Sequence, residues 1–159
     1  MVYQAEIDRI DEGKGHSGPV LDPLWEFALD LGEDPDRTLT RILEVVRKIV
    51  SQDDDRWPQD AYWKENLPSW LINSMPEISK EEADRLMAAT PREKLQMLPW
   101  TFGSWLDAMR DRGWRWWGYE VSGRKAKIVL RVTSIPPRIG AFKQLLRSAG
   151  ANISVDRSI

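Results

Sequence analysis

The chain has no cysteine among its 159 residues. Disulfides, thiolate nucleophiles, zinc–cysteine sites and iron–sulfur ligation are thereby excluded. Its single histidine, His16, leaves little room for histidine-based metal binding or acid–base chemistry. No apolar run approaches the ~18–20 residues needed to span a bilayer, and the mean hydropathy is −0.50. The first residues, MVYQAEIDRIDEGKGHSGPV, lack the basic start and apolar stretch of a secretory signal, so the expected location is cytoplasmic. Phosphate-binding loops and serine elbows are missing as well. Gly13, Gly15 and Gly18 have the spacing of a dinucleotide fingerprint, but they run into Pro19 with no clear strand before them, and the segment reads as a loop around a solvated His16. Asp53, Asp54 and Asp55 form an acidic run without the alternating ligands, turn glycine and distal glutamate of a calcium loop. The expectation is a protein with no catalytic residues, no metal and no cofactor.

Hydrophobic residues make up 42% of the chain and charged residues 30%, an ordinary globular balance. A chain of this length buries roughly 68–70% of its unfolded surface and needs no staple to fold. The net charge of −2 hides an asymmetry. Residues 1–111 carry 13 basic and 23 acidic side chains, a net −10. Residues 112–159 carry 10 basic side chains against Glu120 and Asp156 alone, a net +8. Opposite blocks in one chain imply two halves docked on each other or two faces for different partners.

Along the first half the apolar spacing is helical. Asp22-Pro23 followed by Leu24, Phe27, Ala28 and Leu31 predicts a short helix ending at Gly32. Asp34-Pro35 opens a second, whose stripe is Leu39, Ile42, Leu43, Val46, Ile49 and Val50. Residues 57–76 read as short turns broken by Pro58, Pro68 and Pro76. Ser79 with Glu82, and Thr90-Pro91 with Glu93, are helix-start patterns. Phe102, Trp105, Leu106 and Met109 then share one helical face.

At Gly113 the period changes to that of strands. Residues 114–121 and 126–133 predict a hairpin, 139–149 a helix closed by Gly150, and 151–155 a last short strand. The predicted fold class is therefore α+β. A mainly helical acidic lobe over 1–112 is followed by a basic ββαβ lobe over 113–159, the two sharing one core as a single domain. Its three-stranded sheet has the order 2-1-3, because a right-handed crossover sets the last strand beside the first.

Two functions fit these features. The first is a non-enzymatic protein-interaction module, an adaptor or a neutraliser of a toxic enzyme. It would offer Asp53, Asp54, Asp55, Trp57, Trp63 and Trp70 to a partner with a basic surface. The alternative is single-stranded nucleic-acid binding. A two-residue Gly123-Arg124 turn pairs Val121 with Ala126, Tyr119 with Ile128 and Trp117 with Leu130 on the side packed by the helix. Trp114, Trp116, Lys127 and Arg131 then share the opposite face, where aromatic rings and cations would meet bases and phosphates. On the same face Glu120 is read as the cross-strand ion-pair partner of Lys127. A strand edge that could pair with a second copy leaves monomer and homodimer both open, and no membrane partner is expected.

Overall fold

The computed structural model describes residues 4–12 and 23–159. The Gly13–Gly18 loop with His16, and the helix start expected at Asp22, lie outside the described residues. Among the described residues seven helices and four strands run in the order α1 (Gln4–Glu12), β1 (Leu24–Asp30), α2 (Pro35–Val50), α3 (Asp60–Asn66), α4 (Ser69–Ile72), α5 (Lys80–Ala89), α6 (Phe102–Arg110), β2 (Trp114–Ser122), β3 (Lys125–Val132), α7 (Gly140–Ala149) and β4 (Asn152–Ser158). Short 3-10 turns occupy Asp54–Arg56 and Arg92–Met97. The α+β class is therefore present.

The strongest sequence signals form as read. Asp34 caps α2 by accepting the Arg37 N–H at 3.2 Å, with Pro35 in the first turn, where a missing N–H costs nothing. Its buried stripe includes Ile42, Val46, Ile49 and Val50, joined by Thr38 and Val45. Helix α6 opens with a reciprocal cap between Thr101 and Ser104 and buries Phe102, Trp105, Leu106 and Met109. Helix α7 buries Phe142, Leu145, Leu146 and Ala149 and stops at Gly150, whose φ of +106° suits a residue without Cβ. Thr90 closes α5 rather than opening a helix, and its hydroxyl donates to the Leu86 carbonyl.

The segment read as a helix from Leu24 is instead strand β1. Leu24, Phe27, Ala28 and Leu31 suit a helical stripe, but Trp25, Phe27 and Leu29 also alternate, and pairing on both sides decides for the strand. The sheet accordingly has four strands in the order β2-β3-β1-β4, not three in the order 2-1-3. The last strand lies antiparallel to β1 and does not touch β2. The ββαβ segment thus receives a central strand from the N-terminal half. Strand β1 is antiparallel to β3 and β4, and β2 to β3, so β1 parallels β2 and β3 parallels β4, with one strand between each pair. Two interleaved split β-α-β crossovers result, the ferredoxin-like arrangement, and residues 51–113 are inserted between α2 and β2.

Helices α2 and α7 pack together, and Phe142 of α7 lies 5.4 Å from Phe27 of β1 and 5.1 Å from Trp114 of β2, centroid to centroid. One buried cluster joins Ile42, Trp63 and Trp105 of the first half to Ile128, Leu130 and Phe142 of the second. Helix α1 seals the β2 edge. Glu6 accepts the Trp116 N–H at 2.7 Å and Arg9 donates to the Trp116 carbonyl at 3.4 Å, so side chains stand in for a neighbouring strand.

Candidate functional site

The hairpin turn falls where expected, with Gly123 at φ +58°. Val121, Tyr119 and Glu120 face Ala126, Ile128 and Lys127 as read. Beyond Gly118 the register shifts, because Trp117 is an extra residue in β2. Trp116 therefore faces Leu130 in place of Trp117, Arg115 faces Arg131, and Trp114 faces Val132. One inserted residue moves every preceding side chain to the other face. Trp114 and Trp116, 1% and 0% exposed, belong to the core, while Lys127 and Arg131 lie on the opposite face. The expected surface of tryptophans and cations is not assembled. Lys127 forms its ion pair with Glu26 at 3.2 Å and not with the facing Glu120; this hydrogen bond, with Arg157, holds the Glu26 carboxyl below the usual range.

The acidic, tryptophan-bearing segment is largely engaged within the fold. Asp53 caps the 3-10 turn by accepting the Asp55 N–H at 2.9 Å. Asp54 binds Arg112 at 3.3 Å and Arg115 at 3.5 Å. Arg112 also approaches the buried Glu6 at 3.9 Å, so one charged cluster ties α1, the turn and the start of β2 together. Burial pushes the Glu6 carboxyl up, against the opposing pull of the Trp116 N–H and of Arg112. Trp63 is 1% exposed with Trp57 tilted against it at 4.8 Å, and Trp70 is half-buried under Arg41 at 5.1 Å. Asp55 remains exposed.

The charge asymmetry resolves in the same way. Arg112, Arg115, Arg124, Lys125, Lys127 and Arg157 all reach carboxylates of the N-terminal half. Lys143 pairs with Asp156 at 2.9 Å, and Arg138 donates to the Asp111 carbonyl. Arg147 is exposed and has no ion pair or side-chain hydrogen bond among the described residues.

Arg147 borders the feature that sequence reasoning did not single out. A half-open groove of about 690 Å³ lies where α5, the Leu95–Trp100 segment, α6 and α7 meet. Ala83, Leu86 and Met87 line it from α5, with Ile78, Leu95, Leu98, Pro99 and Trp100 from the flanking segments. Thr101, Ser104, Gly140, Lys143 and Arg147 complete the lining. No carboxylate among the described residues lines it, although α5 carries Glu81, Glu82 and Asp84. Helix α5 starts well, with Ser79 accepting the Glu82 N–H at 3.1 Å, yet none of its residues is buried. Leu86 is 40% and Met87 58% exposed. Gly140 lets α7 approach the indole of Trp100, since a Cβ there would lie 3.1 Å from the ring. The sequence did carry one signal, the Leu86–Met87 pair on a capped helix with too few apolar neighbours for a core.

No family model, curated protein or solved structure matches this chain. Among the described residues no group of three or more acidic or histidine side chains is placed to hold a metal ion. No helix there is long and apolar enough to cross a membrane.

Proposed function

We propose that the chain is a non-enzymatic protein-interaction module of the adaptor or neutralising type, which receives an amphipathic segment of a partner in the groove between α5 and α6–α7. The observation that carries this reading is a capped helix whose apolar residues Leu86 and Met87 stay in solvent beside a groove of about 690 Å³. Exposed apolar residues grouped around a concavity favour association, and methionine adapts to varied partners. Asp53, Asp54 and Trp63 are engaged within the fold, which supports docking at the groove over docking at the acidic segment.

The test is fluorescence anisotropy of the intact protein against stapled helical peptides that share a leucine stripe and differ in their polar faces. Saturable binding is expected, weakened by at least about tenfold in Leu86→Glu and in Met87→Glu, since an interface anchor commonly carries more than about 1 kcal/mol. Both side chains are exposed, so circular dichroism and the denaturation midpoint should not move. Binding that ignores both substitutions, or no binding to any peptide of the series, overturns the reading.

A further inference from the structure

Resting on that docking reading, we infer that the partner segment is an acidic amphipathic helix, with its apolar stripe on Leu86, Met87 and Trp100 and a row of carboxylates on Lys143 and Arg147. Both charged residues of the groove lining are cations, and both stand on α7. They are four residues apart, which places them about 6 Å apart along one side of the helix. Carboxylates one turn apart on a docked helix have the same repeat. Arg147 is exposed without an ion-pair partner among the described residues, whereas six other cations of residues 112–159 are held by the chain's own N-terminal carboxylates. Lys143 is shared with Asp156, so Arg147 carries the larger part of the charge recognition.

The shape of the site favours a helix over a small anionic amphiphile. A lipid-like ligand is held in a cavity that encloses most of its surface, whereas this groove is half-open and its apolar rim extends to Met87 in solvent. A helix laid lengthwise covers such a rim through residues at i, i+3, i+4 and i+7. Opposite charge along the rim contributes to association rate and to orientation more than to raw affinity.

The test compares two stapled peptides with one leucine stripe, one flanked by glutamates a turn apart and the other by lysines at the same positions. The native protein should bind the glutamate peptide at least about tenfold more tightly at low salt, and the preference should shrink as salt rises. Arg147→Glu should abolish or invert the preference, Arg147→Lys should keep it, and Leu86→Glu should weaken both peptides. Equal binding of the two peptides, or a preference that survives Arg147→Glu, overturns the acidic partner while leaving the docking groove intact. Failure of both peptides overturns both readings. Decanoate and a labelled single-stranded oligonucleotide serve as further probes. If decanoate binds in a manner abolished by Leu86→Glu and neither peptide does, the occupant is a small amphiphile. If the oligonucleotide binds through Arg147 without need of Leu86, it is a nucleic acid. Either result replaces the proposal.

Discussion

Helices α5 and α6 begin with comparable signals and end in opposite environments. Ser79 caps one and Thr101 the other. Helix α6 then buries Phe102, Trp105, Leu106 and Met109, and the Trp105 indole donates to the Ala141 carbonyl at 2.9 Å in the interior. Helix α5 buries nothing. A cap sets where a helix starts, but the number of apolar residues on one face sets whether the rest of the molecule has reason to cover it. The difference marks α6 as part of the scaffold and α5 as a wall of a surface feature.

The largest contrast should come from truncating one apolar residue on each helix. Trp105→Ala should cost about 3–5 kcal/mol, the range for removing a buried large aromatic. Leu86→Ala should stay within about 0.5 kcal/mol, as exposed substitutions do. Urea unfolding of the two variants measures both, and similar losses would erase the distinction drawn between the helices. Next in size is Gly113→Ala at the entry to β2. An added Cβ would lie 1.9 Å from Ser134 Oγ and 2.5 Å from its Cβ, so a loss of about 1–3 kcal/mol from overpacking is expected. A midpoint unchanged from the native protein would show that the loop carrying Ser134 yields freely.

The caps sharpen the comparison further. Thr101→Ala should lower the global unfolding free energy by about 1 kcal/mol, because α6 unfolds with the core. Ser79→Ala should instead speed amide exchange within α5 while leaving global stability close to native. The smallest effects are those of pH, and they have opposite signs at two carboxylates. Glu26 is held below its ordinary range by its hydrogen bond with Lys127, with Arg157 adding to it, so its contribution is present at neutral pH and is lost as the pH falls through its native value. Glu6 is raised by burial, so its contribution is fullest in acid and declines as the pH rises through its native value. Relative to Glu26→Gln, the native protein should therefore lose stability on acidification. Relative to Glu6→Gln it should gain. Thermal midpoints between neutral and mildly acidic pH read both trends, and matching slopes would remove the assigned causes.

Much of the local structure was legible in advance. The Asp34-Pro35 start, the stripe of α2, the buried face of α6, the Gly123-Arg124 turn and the Gly150 stop each follow from contacts within a few residues. Strand β1 was misread because seven residues with apolar groups at both helical and alternating positions do not choose a period on their own. The face of Trp114 and Trp116 was misassigned because one bulged residue, Trp117, reverses every earlier side chain. Gly118, a glycine inside the strand beside Trp117, is the sign of a bulge that the sequence offered. The groove was less visible still, since its lining is drawn from segments between Ile78 and Arg147.

The sequence by itself determined the class, the strongest helices, the hairpin turn and the absence of thiol chemistry, since each depends on residue type or on short-range spacing. Only the tertiary structure decided that β1 completes the sheet, which cations the acidic half neutralises, and that Arg147 stands beside an uncovered apolar groove. Those outcomes depend on pairing between segments far apart in the chain. Such pairing is set by the fit of whole surfaces and not by any one segment's preference.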